Sequence, residues 1–123
     1  MINSKNTDTG GDRVEVRKES AGGAVVYRIT GKLDAVTGPN LDSAIAIDQE
    51  SSRVILDMRE VTYVSSAGLR AILLAARRAQ VAKGGLALFG LQASVKEVFD
   101  AAGFENIVPV ASDETEACSK LAG

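Results

Sequence analysis

The chain has 123 residues, a hydrophobic fraction of 46%, only 4% aromatics and a formal net charge of -2. That length suits one domain with a real core built from Val, Ile, Leu and Ala, and the charge argues against the basic stripe that grips nucleic acid. The single cysteine, Cys118, excludes an internal disulfide, and the lack of any histidine removes His-based triads, phosphohistidine relays and His metal sites.

No stretch approaches the roughly 18 apolar residues of a membrane span. The segment Met1-Ile2-Asn3-Ser4-Lys5 lacks an apolar signal region and a Met-Gly start. The cytoplasm is the expected location, with no membrane partner.

Residues 1–12 are polar, have no period and hold Gly10-Gly11, which predicts a disordered tail ahead of a domain over 13–123. Arg13 to Lys18 alternates polar and apolar, and Ala24 to Thr30 carries Val25, Val26, Tyr27 and Ile29. With the Ala21-Gly22-Gly23 turn between them, these predict an antiparallel hairpin. Gly31-Lys32-Leu33-Asp34 is expected to break the second strand. A helix is predicted from Thr37 as N-cap, with Pro39 in its first turn and Leu41, Ala44 and Ile45 able to face a core.

Arg53 to Met58 holds an unbroken apolar run, as in a strand buried on both faces of a parallel sheet. A loop is expected next, then a long helix from Ser65-Ser66-Ala67-Gly68 to about Lys83, closed by Gly84-Gly85. Leu69, Ile72, Leu73 and Ala76 mark its core face. Leu86 to Phe89 predicts another buried strand. Ser94 is the expected cap of the next helix, with Val95, Val98, Phe99 and Ala102 inward and Gly103 as its left-handed stop. Ile107 to Val110 predicts a short strand, and Ser112 a last helix with Asp113, Glu114 and Glu116 in its first turns. The order β-β-α-β-α-β-α-β-α implies an α/β fold: a mixed, mostly parallel sheet of about five strands with about four helices, begun by a hairpin.

The segment Val64-Ser65-Ser66-Ala67-Gly68-Leu69-Arg70 joins a buried strand to a helix start, where free backbone N–H groups favour an anion. One of the two serines is expected to cap the helix, and a serine there can also carry phosphate. Arg70 and Arg77 share a helix face with Leu74 and Val81. That face is either solvated and partly covered by a neighbouring helix, or a partner surface. Asp34 and Asp57 are expected near one sheet end; a paired-acid enzyme is disfavoured, since no cofactor motif accompanies them. Neither G-x-G-x-x-G nor G-x-x-x-x-G-K-[ST] occurs.

Ile55-Leu56-Asp57-Met58, followed by Val61, Tyr63 and Ser65-Ser66-Ala67-Gly68-Leu69, resembles the signature of the STAS domain. The upstream Gly31-Lys32-Leu33-Asp34 turn and the downstream Leu86-Ala87-Leu88-Phe89-Gly90 strand resemble the same family, as do Val95, Phe99, Gly103 and Phe104. The resemblance runs from about Val14 to Leu121 and is to its anti-sigma factor antagonists. It implies a binding module without cofactor or metal, not an enzyme. The unmodified form would bind an anti-sigma factor that doubles as a serine kinase. Phosphate on the motif serine would end binding, and a metal-dependent phosphatase would restore it. The family serine maps onto Ser66, with Ser65 as the alternative because it stands where the family often has Asp. Asp34, Asp57, Ser65 and Gly68 would form the site, and Arg70, Leu74 and Arg77 the partner face. The other readings are a STAS scaffold that does not switch and a small flavodoxin-like nucleotide binder.

Overall fold

A computed structural model describes residues 14–21, 23–48 and 51–122. The expected N-terminal tail lies outside them. The elements run β1 (Val14–Ala21), β2 (Ala24–Leu33), α1 (Gly38–Ala44), β3 (Arg53–Val64), α2 (Ser66–Val81), β4 (Gly85–Phe89), α3 (Ala93–Ala101), a 3-10 turn (Phe104–Asn106), β5 (Val110–Ala111) and α4 (Glu114–Ala122). The five strands lie in sequence order. β1 pairs antiparallel with β2, and the β2–β3, β3–β4 and β4–β5 pairs are parallel.

Alternation along the strands sorts the core into two sides. Tyr27, Ile29, Val54, Leu56, Met58 and Leu88 share one buried cluster with Leu41 and Ile45 of α1, Ile72 of α2, and Val95 and Phe99 of α3. Val26, Ile55, Ala87 and Phe89 point the other way and share a smaller cluster with Ala117 of α4. Right-handed crossovers account for this, since they lay the connecting helices on one face of the sheet. Cys118 is a half-buried member of the α4 cluster.

Several local expectations are corrected. β2 does not break at Gly31. It continues to Leu33 through two register shifts against β3, with Gly31 at φ 120°. β3 likewise runs on through the expected loop to Val64. Gln92, not Ser94, is the N-cap residue of α3, and its amide donates to the Arg59 carbonyl at 2.9 Å. Ala44 and Ala102 are exposed rather than inward. The left-handed residue after α2 is Lys83 (φ 71°). Gly84 serves close packing instead: a Cβ there would sit 2.0 Å from the Ser52 carbonyl oxygen. Gly103 is left-handed as expected (φ 67°), and it delivers Phe104 onto Phe99 with ring centroids 4.7 Å apart.

Candidate functional site

Two turns meet at the carboxyl end of the parallel strands. The first follows β2. The Asp34 carboxylate accepts from the Val36 N–H (2.9 Å) and the Thr37 N–H (3.1 Å). Thr37 is fully buried. Its hydroxyl donates to the Lys32 carbonyl at 2.6 Å and accepts from the Asp34 N–H at 3.0 Å. The Thr37 N–H, more than any other group, holds the Asp34 carboxyl below its ordinary range. Thr37 is thus the N-cap residue of α1 by position, but its hydroxyl ties off the turn rather than capping the helix.

The second turn follows β3. The Ser65 N–H donates to the Leu33 carbonyl at 2.9 Å, stitching the two turns together. The Ser65 hydroxyl accepts from the Gly68 N–H at 3.2 Å and so caps α2. Gly68 is buried against β2, and a Cβ on it would meet the Leu33 carbonyl oxygen at 2.4 Å. Ser66 opens α2, is exposed, and its hydroxyl makes no hydrogen bond within the described residues. The two adjacent serines are therefore divided between capping and display.

From this corner a groove runs between α1 and α2, lined by Asp34, Pro39, Asp42, Ala67, Arg70 and Leu74 among others, with a volume near 360 Å³. Arg78 braces its far side by donating to the Asp42 carboxylate and to the Ile45 carbonyl (2.6 Å). Leu74 is 44% exposed and Val81 84%, so α1 leaves both open to solvent in part. Arg70 and Arg77 are exposed and make no ion pair within the described residues. The face is solvated, as the first of its two readings expects, but its apolar residues are not buried under a neighbour.

Asp57 is elsewhere. It pairs in register with Arg28, whereas Leu33, just before Asp34, pairs with Val64, seven residues further along β3. That is roughly 20 Å at the rise of a strand. Its side chain, on the α4 side, is 6% exposed and takes Arg28 Nη1 and Arg59 Nη2 at 2.8 Å each. Arg28 also reaches Glu19 (2.9 Å) and Glu114 of α4 (3.1 Å). Arg59 lies over the Phe89 ring at 5.4 Å. Burial opposes charge on Asp57, but hydrogen bonds from Arg59 and Arg28 outweigh it and lower its pKa to about 2. The expectation that Asp34 and Asp57 share a sheet end is thus corrected: Asp57 is the hub of an ion-pair network that ties α4 to the sheet. Sequence reading missed Arg28 and Arg59, and gave Thr37 only as a helix cap, not as the residue that ties off the Asp34 turn. The one available signal was Arg28 interrupting an otherwise apolar strand.

The comparisons with known proteins agree with this architecture. A family model described as the STAS domain matches residues 15–117. A Bordetella bronchiseptica protein, BtrV, provisionally named an anti-sigma factor antagonist, is 34% identical over 99 residues, covering 79% of this chain and 85% of its own length. The crystal structure of an anti-sigma factor antagonist from Mycobacterium paratuberculosis superimposes with a TM-score of 0.81 at 19% identity, covering 94% of this chain and 99% of that one. The Bacillus cell fate determinant SpoIIAA in its phosphorylated form gives a TM-score of 0.64 at 20% identity, covering 86% and 98%. The matched span takes in all of the sheet but Val14, with the two stitched turns, and the chain belongs to the STAS domain family.

Proposed function

We propose that this STAS domain acts in the cytoplasm as an anti-sigma factor antagonist, a binding module rather than an enzyme. Its unmodified form binds an anti-sigma factor that is also a serine kinase. Phosphate on Ser66 ends the binding, and a metal-dependent phosphatase reverses it. The contact surface is the start of α2 with the Asp34 turn, Arg70, Leu74 and Arg77.

The observation that carries this reading is the division of labour between two adjacent serines. Ser65 is committed to the cap, while the Ser66 hydroxyl is exposed and uncommitted. The names of the sequence relatives support the partner class, and a phosphorylated structural relative supports the chemistry. A phosphate adds about -1.5 to -2 charge. The N-terminus of a 16-residue helix tolerates an anion, so the domain keeps its fold. Asp34 repels the new charge, and a partner surface fitted to a neutral hydroxyl would have to desolvate it.

Incubation with the cognate kinase and ATP, followed by mass spectrometric mapping, tests the site. Phosphate is expected on Ser66 in the wild type and in Ser65→Ala, and on nothing in Ser66→Ala. Phosphate on Ser65, or on neither serine, would overturn the assignment.

A further inference from the structure

Arg70 stands four residues after Ser66 on α2. In an α-helix that spacing stacks two side chains on one face, with Cβ atoms about 5–6 Å apart. Both residues are exposed, and neither side chain has a partner within the described residues. The carboxylates that line the same groove are already engaged. Asp34 serves the N–H groups of Val36 and Thr37, and Asp42 serves Arg78. The guanidinium of Arg70 is thus an uncommitted cation one helix turn from Ser66. Arg77, eleven residues on from Ser66, lies about 16 Å away along the helix axis.

Resting on the reading of Ser66 as the modified serine, we propose that Arg70 receives the Ser66 phosphate and is thereby withdrawn from the partner face. An anion four residues before a cation is the favourable order on a helix. Arginine adds a planar fork that holds phosphate through two charge-assisted hydrogen bonds. Modification then acts twice on the surface: it adds negative charge at Ser66 and removes the positive charge that Arg70 offers a partner. The switch needs no change of fold, only a new side-chain pairing along one helix turn.

The test installs phosphoserine at position 66 during synthesis of the full chain and follows its second ionisation by phosphorus NMR. With Arg70 in place the phosphate should ionise about half a unit lower than in Arg70→Gln. The gap should close in about 1 M salt, where the screening length falls to ~3 Å. Arg77→Gln should titrate like the wild type. The Asp34 and Asp42 carboxylates are common to all three proteins and cancel in the comparison. Identical titrations in wild type and Arg70→Gln would overturn the pairing, and so would an equal shift in Arg77→Gln, which would mark a general charge effect. Because the phosphate is built in, this result stands apart from whether a kinase modifies Ser66.

Discussion

Gly68→Ala is expected to destabilise the domain by about 2–4 kcal/mol, although helix propensity alone favours alanine over glycine by about 1 kcal/mol. Sterics decide the sign. The added Cβ would lie 2.4 Å from the Leu33 carbonyl oxygen, 2.8 Å from its carbonyl carbon and 2.9 Å from its Cβ. Two of these atoms are backbone, so no rotamer change relieves the clash. The first turn of α2 would have to lift from β2, and the Ser65 N–H bond to that same carbonyl would be strained with it. Thermal unfolding is the measurement, with a fall in Tm of roughly 10 °C or more. Gly38→Ala is the control. Its Cβ would sit 3.5 Å from the Ala71 Cβ, an ordinary contact, and Tm should barely move. A Gly68→Ala protein as stable as the wild type would mean that α2 does not rest on β2 as described.

Asp57→Ala should cost about 3 kcal/mol at neutral pH, at the low end for breaking a buried ion pair. Arg28 keeps Glu19 and Glu114, which limits the loss, while the exposed Arg59 can turn to water. The cost should depend on pH in a definite direction. The folded carboxyl ionises at about 2 against an ordinary value of 3.8, so the folded state binds fewer protons than the unfolded state between those values. The stabilisation is fully present above about pH 4 and is lost as pH falls through about 2, a difference of about 2 kcal/mol. Urea denaturation of both proteins from pH 7 downward should therefore show their stabilities converging below pH 4. A gap that stays constant in acid would contradict the charged hub.

The parts of this molecule that were legible in the sequence are those that one element determines alone. The apolar run at Val54–Leu56 marks a strand buried on both faces, the spacing of Leu69, Ile72 and Ala76 gives α2, and Gly103 stops α3. The far half of β3 was not legible because its period is wrong for a strand. Met58, Val61 and Val64 are buried at intervals of three. From Arg28 to Leu33 β2 advances five residues while β3 advances seven, and the two extra residues are taken up in register shifts. Each shift resets the alternation, so a period-2 reading sees a loop. Asp57 was misplaced for a related reason. Its position in the chain suggests a strand end, but its chemistry depends on Arg28, 29 residues away and opposite it only once the sheet has paired. At the candidate site, the pattern Ser65-Ser66-Ala67-Gly68 announced a capped helix start. Which serine caps became clear only from the Ser65 hydroxyl on the Gly68 N–H.

In the proposed switch, one phosphate on Ser66 separates a binding state from a non-binding state of the same fold. The most direct measurement is a calorimetric titration of the anti-sigma kinase partner with unmodified protein and with protein carrying phosphoserine at position 66, each checked for native folding by circular dichroism. Identical folds are expected, with an affinity lower by at least about thirty-fold for the phosphorylated protein, the scale of roughly 2 kcal/mol for an uncompensated charge at an interface. Equal affinities for the two forms would contradict it.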